Sequence, residues 1–275
     1  MPDIAHIRAL LQWYVAMGVD ETITATPSDR TQLILPPEKP KIINIIEPIK
    51  KEPAPQAPAP VAPEAASASL SAAVAEARAI ADRVTTLDEL RDAVSQFDAC
   101  PLKKMAKNTV FGDGNPASGV MLIGEAPGEE EDRMGIPFCG PSGQLLDDML
   151  RHIGLTRAEH FYITNTVFWR PPGNRLPTAE ETAICKPLVE KHIALIHPSI
   201  LILVGGQATK GVLDEPTGIT VQRTKSFKYK NQYIKDFIHT RAIFHPSYLL
   251  RQPLQKKLAW FDLLSIQDDI RSQGK

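Results

Sequence analysis

The sequence lacks the features that mark secreted scaffolds and membrane proteins. Its 275 residues include only three cysteines, at positions 100, 139 and 185, which are too few and too widely spaced for a disulfide framework. No apolar run approaches the roughly 20 residues that cross a bilayer, and the N-terminal segment has no cleavage-site pattern. We therefore expect a protein of the reducing cytoplasm, neither exported nor inserted in a membrane.

An excess of charge of either sign is also missing. The chain has 31 Lys and Arg against 32 Asp and Glu, a formal net charge of −1, so the total gives no evidence for a nucleic-acid partner. The distribution is more informative, because Val221 to Trp260 is rich in Lys and Arg, contains Asp236 as its only acidic residue and is interleaved with aromatic residues. This pattern favours contact with a phosphate backbone; an ordinary solvated surface is the alternative.

The first quarter of the chain differs in composition from the rest. Apolar residues at helical spacing predict a short amphipathic helix within residues 1–20. Residues 21–69 are rich in Pro and Ala, which is typical of a flexible linker. Within it, residues 41–52 form a small apolar island between lysines. That island is a candidate partner-binding segment, and a sticky patch without function is the alternative.

Residues 70–275 have the composition of one globular domain, with a leading helix over 70–97 and a core over 98–275. Strands are expected within residues 119–125, 161–168, 199–206 and 240–247, and helices within 145–154, 179–197 and 253–270. Strands that alternate with helices predict an α/β fold with a mostly parallel sheet covered on both faces. Ligands bind such sheets at the carboxyl ends of the strands, where three strands run into GEAPG, NTVFWRPP and HPSYLLR.

Four motifs in order make the pattern more specific. They are GEAPGEEEDRMGIPFCGPSGQLL (Gly124 to Leu146), ITN (Ile163 to Asn165), RPPGNRLPTAEE (Arg170 to Glu181) and HPSYLLR (His245 to Arg251). From about Ala99 onward, two thirds of the chain, the sequence resembles the family 4 uracil-DNA glycosylases. The resemblance implies a three-layer αβα sandwich and a monofunctional hydrolase of DNA repair that excises uracil and leaves an abasic site.

The resemblance also assigns residues to a base pocket. A base must leave the duplex before its glycosidic bond can be reached. Phe138 is the residue on which the flipped uracil would stack, Ala126 lies at the turn beside it, and the amide of Asn165 can pair with uracil O4 and N3–H. Outside these motifs, the phenylalanine would be read as a core residue and the asparagine as a turn or cap.

Catalysis requires hydrogen-bond donors aimed at the departing base and a carboxylate on the opposite side. His245 is the candidate donor to uracil O2, assisted by backbone N–H groups around Glu125 and Ala126. Glu131 matches the family position proposed to orient water, and Glu125 is the second choice. A histidine before proline is more often structural, and an acidic run is usually a solvated face.

The last motif supplies the expected contacts with DNA. Leu249 and Leu250 are candidates for a wedge that enters the base stack, while Ser247 and Arg251 are candidates for holding phosphates. Ordinary packing of the two leucines is the alternative.

The sequence departs from the family at its iron–sulfur site. Family 4 enzymes typically hold a [4Fe–4S] cluster on four cysteines; Cys100 and Cys185 match the second and fourth, whereas Phe97 and Trp169 occupy the first and third positions. Two thiolates cannot complete such a site. We therefore expect no cluster and no other cofactor, with the aromatic rings filling the space and the two cysteines close together as free thiols or a labile disulfide. Cys139 is expected to be a small buried apolar residue.

Two other functions remain open at this stage. One is a DNA-binding or partner-recruiting protein that has kept the fold and lost turnover, and the other is a glycosylase for a different deaminated base. An active enzyme is favoured, because four positions carry the residue types that catalysis and base binding require: Glu131, Phe138, Asn165 and His245. Its expected partners are uracil-containing DNA at the nucleoid and, through the N-terminal helix or residues 41–52, a protein of replication or repair. Docking of the N-terminal helix onto the domain itself is the alternative.

Overall fold

The computed structural model of the chain describes residues 12–13 and 63–272, with side chains described from residue 68 in the second range. The predicted linker up to residue 62, including residues 41–52, lies outside the described residues. So does the predicted N-terminal helix, apart from Gln12 and Trp13, which are helical.

The predicted leading helix over 70–97 is two helices, α1 (Pro63–Arg83) and α2 (Leu87–Gln96). Helix α1 begins inside the predicted linker because proline is well suited to the first helical position and an alanine-rich run follows it. A new helix starts after Thr86, whose side chain accepts from the backbone N–H of Glu89 while the Glu89 carboxylate returns to the backbone of Thr86. This capping box explains the break.

A six-stranded sheet forms the centre of the domain. Its strands are β1 (Asp113–Gly114), β2 (Val120–Gly124), β3 (Tyr162–Asn165), β4 (Ile200–Val204), β5 (Ser226–Tyr229) and β6 (Ile238–Ile243), in the order β1-β3-β2-β4-β6-β5. The four inner strands are parallel, and β1 and β5 are antiparallel edges. The predicted mostly parallel sheet is confirmed.

Further helices lie between the strands or follow the last one. They are α3 (Glu129–Met134), α4 (Pro141–Arg151), α5 (Ala179–Ile196), α6 (Gly206–Leu213), α7 (Ile219–Gln222), α8 (Pro246–Arg251) and α9 (Lys256–Ser272), with short 3-10 turns at Pro101–Lys104, Pro172–Asn174 and Pro253–Gln255. Helix α5 begins where its capping residue predicts, because the Thr178 hydroxyl accepts from the backbone N–H of Glu181.

Alternate residues of the inner strands face two separate hydrophobic clusters. Met121 and Ile123 of β2 pack with α1, α2 and α5, whereas Val120 and Leu122 pack with α4 and α9. The domain is therefore the three-layer αβα sandwich that the sequence predicts.

Trp13 belongs to the second of these clusters. It is fully buried, and its ring centroid lies 5.5 Å from that of Trp260 on α9. Helix α1 packs on the opposite face of the sheet, so Trp13 and α1 lie on different faces. At Trp13 the chain contacts its own domain.

Within the described ranges, we find no helix with the length and apolar character needed to span a membrane.

Candidate active site at the carboxyl ends of the strands

A cavity of about 560 Å³ opens where β2, β3 and β6 end. The three loops that the sequence places there, GEAPG, the segment after Asn165 and HPSYLLR, all contribute to its walls. Its lining comprises Glu125, Ala126, Pro127, Gly128, Glu131, Phe138, Ser142, Asn165, Asn174, Arg175, Leu176, His245, Ser247, Tyr248 and Arg251.

Phe138 provides the aromatic wall of the cavity. Its side chain is almost fully buried, and its ring centroid lies 5.9 Å from that of His245. Gly124 at the end of β2 makes this position possible, since a Cβ there would lie 2.3 Å from Phe138 Cζ and 2.5 Å from Asn165 Oδ1. The first glycine of GEAPG thus lets Phe138 and Asn165 approach each other.

Asn165 is the last residue of β3 and is only 1% exposed. Its Oδ1 atom accepts no hydrogen bond from any described residue. A buried amide oxygen without a donor is rare in folded proteins. This oxygen is therefore available to accept from an N–H group of a ligand in the cavity.

His245 precedes α8 and caps its first turn. Its Nδ1 atom accepts from the Ser247 backbone N–H at 3.2 Å and contacts the Ser247 hydroxyl. Burial, with a smaller effect from Arg251, lowers the His245 pKa to about 4. The imidazole is thus neutral near pH 7, and because Nδ1 is an acceptor, its proton is on Nε2.

The two candidate carboxylates have different surroundings. Glu131 accepts from the backbone N–H of Gly128 at 3.1 Å and from that of Gly140 at 2.9 Å, one with each oxygen. No described residue donates a hydrogen bond to the Glu125 carboxylate, and burial raises its pKa. The geometry therefore favours Glu125, the second choice from the sequence, as the carboxylate that can act on water.

The two leucines of α8 point in different directions, which corrects the predicted two-leucine wedge. Leu249 is fully buried in the cluster beneath α4 and α9, whereas Leu250 is 46% exposed. Successive residues of a helix are about 100° apart, so a short helix that packs one leucine turns its neighbour outward. Leu250 remains the wedge candidate, and Leu249 is a core residue.

The basic run from Val221 to Trp260 does not form one surface. Arg223 makes two hydrogen bonds to Asp262, at 2.7 and 2.8 Å, and Arg241 pairs with Asp269. Both acidic partners lie on α9, outside the basic run, so no pattern within the run indicates them. Arg223 and Arg241 therefore pair with carboxylates of the domain, whereas Arg251 lines the cavity.

The turn after Pro172 contributes residues that sequence reasoning did not assign. Asn174, Arg175 and Leu176 line one side of the cavity, and Leu176 is 58% exposed. Arg175 is fixed by hydrogen bonds of 2.8 and 2.6 Å to the Glu181 carboxylate. The available signal was the placement of GNRLP between the Asn165 strand and helix α5.

Comparison with known proteins agrees with this geometry. The sequence model described as the uracil DNA glycosylase superfamily matches residues 111–264, more than half of the chain. The chain belongs to the uracil-DNA glycosylase superfamily. All residues that line the cavity lie within residues 111–264 of the chain, the region that the superfamily model matches.

Three relatives named type-4 uracil-DNA glycosylase are 35% to 40% identical to the chain over the aligned residues. A type-4 uracil-DNA glycosylase of Thermotoga maritima is 40% identical over 196 residues, 69% of this chain and 99% of the relative. Proteins of the same name from Pyrobaculum aerophilum and Sulfurisphaera tokodaii are 37% and 35% identical, over 64% and 66% of this chain and 92% and 84% of the relatives.

The two cysteines at the cluster positions of the superfamily's family 4 are in contact. Cys100 and Cys185 are buried free thiols in the same core cluster. The interaction between the two thiols lowers the pKa of Cys100 and raises that of Cys185, which burial raises further. Cys139 is half-buried and so less enclosed than the sequence suggests.

Aromatic rings occupy the other two cluster positions. Phe97 and Trp169 are each 1% exposed and stack with centroids 6.3 Å apart, in the same core cluster as the two thiols. Trp169 Nε1 donates to the Thr109 hydroxyl at 3.0 Å. Two thiols and two packed rings do not fit a [4Fe–4S] cluster, which needs four ligands. Among the described residues, no group of three or more His, Cys, Asp or Glu could hold a metal ion.

Proposed function

We propose that this protein removes uracil from DNA by hydrolysing its N-glycosidic bond and leaves an abasic site. The observation that carries the proposal is the buried Asn165 amide: its Oδ1 atom has no donor among the described residues, and Asn165 lines the cavity together with Phe138. Membership of the superfamily supports the same reaction.

Base recognition follows from this arrangement. A uracil flipped from the stack lies against the Phe138 ring. Asn165 Oδ1 accepts from uracil N3–H, and its Nδ2 donates to O4. Cytosine has an acceptor at N3 and an amino group at C4, so both contacts would be mismatched. A buried polar site discriminates strongly against a ligand that leaves its groups unpaired.

Bond cleavage leaves negative charge on uracil and positive charge on the sugar. The neutral His245 imidazole donates from Nε2 to uracil O2, stabilising the leaving anion without releasing a proton. Glu125 orients the attacking water and stabilises the sugar cation from the other side. Glu131, which the family resemblance ranks first for that task, holds the backbone of the loop between Gly128 and Gly140, and Ala126 completes the turn.

Contacts with DNA are assigned to α8. Arg251 and the Ser247 hydroxyl bind phosphates at the mouth of the cavity, and the exposed Leu250 fills the gap that the flipped base leaves. Fixing the strand at these points holds the sugar over the catalytic groups.

We also propose that the reaction needs no iron–sulfur cluster, metal ion or organic cofactor. The support is the packing of Phe97 against Trp169 at two of the four cluster positions. Purified protein should contain far less iron and acid-labile sulfide than a four-iron cluster requires. A stoichiometric content of both would contradict this proposal.

The activity is tested with a labelled oligonucleotide that carries one uracil. We expect cleavage at uracil and none at thymine in the matched oligonucleotide. Asn165→Ala should lower the single-turnover rate by roughly 100-fold or more without changing the melting temperature appreciably. Intact DNA binding without uracil excision would favour a binding protein. Excision of hypoxanthine or xanthine in place of uracil would favour another deaminated base.

For the N-terminal region, we propose recruitment of a replication or repair protein at the nucleoid. The burial of Trp13 against α9 favours residues 41–52 over the N-terminal helix as the recruiting segment. Deleting residues 1–66 should abolish the association, and unchanged association would contradict recruitment by this region.

A further inference from the structure

We propose that Arg157 is a positioning residue for uracil excision, which holds Phe138 in the backbone conformation that places its ring in the cavity. The inference rests on the proposed function, because it assumes that uracil stacks on this ring. Arg157 itself lies outside the lining of the cavity.

Phe138 has an unusual backbone conformation. Its φ angle is +52°, in the left-handed region that bulky L-residues rarely adopt and that persists only where the surroundings enforce it. Gly143 on α4 allows close approach from one side, since a Cβ there would lie 1.8 Å from the Phe138 carbonyl oxygen. Gly124 allows close approach to the ring. These glycines permit the conformation, but neither of them holds it.

Arg157 supplies the missing restraint. Its Nη1 atom donates to the Pro137 carbonyl at 2.7 Å, and Nη2 donates to the Phe138 carbonyl at 2.8 Å. Two successive carbonyl groups are thus directed at one guanidinium. The planar fork of arginine suits this arrangement, whereas the single ammonium of lysine does not.

The guanidinium is itself held in place. Asp147 on α4 accepts from Nε and Nη2 at 3.2 and 2.9 Å, and Asp113 on β1 accepts from Nη1 at 3.2 Å. The Arg157 side chain is 16% exposed, so these bonds are partly shielded from water. Arg157 therefore ties the Phe138 loop to a helix and an edge strand.

A carboxylate restrains the other end of the same loop. Glu131 accepts from the Gly140 N–H, two residues after Phe138. The Arg157 guanidinium thus binds the carbonyl groups of Pro137 and Phe138. The Glu131 carboxylate binds the N–H of Gly140. The segment from Pro137 to Gly140 is clamped between the two charges, which keeps the Phe138 ring against the cavity.

Loss of Arg157 should release the backbone of Phe138 and impair stacking. The α8 residues that we propose contact DNA would be unaffected, because they lie in a different segment from Phe138. Uracil affinity and the rate of base excision should therefore fall, while affinity for DNA that already contains an abasic site stays the same. A purely structural role would instead lower the fraction of folded protein and reduce all three together.

The test compares Arg157→Gln with Arg151→Gln. Arg151 is an exposed arginine at the end of α4 that pairs with Asp148 on the surface, which makes it a matched control. In Arg157→Gln, the inhibition constant for free uracil should rise and the single-turnover rate should fall, each roughly tenfold to 100-fold. The control should match the wild type, and Arg157→Lys should fall in between. A wild-type uracil inhibition constant in folded Arg157→Gln would overturn the proposal.

A double-mutant cycle shows whether Arg157 acts through the ring. In a Phe138→Ala background there is no ring to position, so adding Arg157→Gln should change the uracil inhibition constant little. Fully additive effects would contradict the proposed role.

Hydrogen exchange separates this inference from the proposed function. The Gly140 amide should exchange faster in Arg157→Gln than in wild type or Arg151→Gln, whether or not the protein cleaves uracil. If the wild type does not excise uracil but Arg157→Gln still exchanges faster at Gly140, the proposed function is wrong. The restraint of the Phe138 segment by Arg157 is then still supported. Unchanged exchange would overturn the clamp.

Discussion

Phe138, Asn165 and His245 depend for their positions on glycines as much as on their own chemistry. A Cβ at Gly124 would collide with both Phe138 and Asn165, and one at Gly205, whose φ is +96°, would lie 3.0 Å from His245 Cβ. The requirement is steric, because these backbones pass too close for a larger residue. The three candidate side chains therefore occupy space that is free only because Gly124 and Gly205 have no Cβ.

Glu125 should set the acidic limb of the pH–rate profile. Burial raises its pKa above the ordinary value, so its carboxylate forms, and excision accelerates, as pH rises through that raised pKa. His245, with a pKa of about 4, is already neutral where this limb levels off. Glu125→Gln should remove the limb and lower the plateau roughly 100-fold in single-turnover assays. An unchanged limb in this variant would assign it to another group.

His192 predicts the acid sensitivity of the fold. Burial, with a smaller effect from Arg91, lowers its pKa to about 3, so the folded protein keeps this imidazole neutral. As pH falls below about 6.5, the ordinary histidine pKa, the unfolded chain binds a proton that the folded chain does not. The free energy of unfolding therefore falls with pH until about pH 3.

The variant His192→Gln keeps a polar group near the Tyr162 hydroxyl, which lies 3.1 Å from His192 Nε2, and removes the titration. Denaturant unfolding between pH 6 and 4 should then show a pH dependence smaller by about 1.4 kcal/mol per pH unit. Parallel curves for variant and wild type would show that this histidine is not neutral in the fold.

Helix α8 shows what local sequence can and cannot predict at the scale of an element. HPSYLLR predicts a loop that approaches DNA, but which leucine faces outward depends on how the helix packs on α4 and α9. Long periodic segments such as β4 and α5 were predicted within a residue or two of their ends. The short edge strands β1 and β5 were missed, because they have few residues and depend on their neighbours in the sheet.

The two leucines of α8 should respond differently to truncation. Leu249→Ala empties a core position and should lower the free energy of unfolding by about 3 kcal/mol, measured by urea denaturation. Leu250→Ala should leave stability unchanged and slow excision from duplex DNA more than from single strands, where no stack must be opened. Equal effects on both substrates would contradict the wedge role.

Across the whole molecule, the sandwich is covered by segments that are distant in sequence. Trp13 joins the face formed by α4 and α9, while α1 covers the opposite face. The sequence predicts an apolar helical face near the N-terminus but does not identify the surface that this face contacts. Only the three-dimensional structure pairs Trp13 with Trp260, because no local pattern links residues so far apart.

Trp13 should therefore contribute to the stability of the glycosylase domain. Trp13→Ala is expected to lower the free energy of unfolding by about 3 kcal/mol, because it removes a fully buried ring from contact with Trp260. Gln12→Ala, at the exposed neighbouring position, is the matched control and should have no effect. Equal stability of the two variants in urea titrations would show that the docked tryptophan adds nothing to the fold.

Phe97 and Trp169 are the clearest difference between this chain and the four-cysteine cluster site that the family resemblance implies. The family resemblance predicts four ligands for a cluster, and the sequence shows that two are missing. The stacking of the rings and the contact between the two thiols emerge only from the packing of α2, α5 and the segment after β3. This packing is the support for the proposal that the reaction needs no cluster.

Uracil excision without an iron–sulfur cluster is tested most directly by the single-turnover rate of excision. The rate and the iron content of the protein are measured before and after treatment with a strong chelator. We expect excision by iron-free protein at an undiminished rate, lost in Asn165→Ala. A rate that rises and falls with iron content, or no excision of uracil by folded protein that binds DNA, would contradict it.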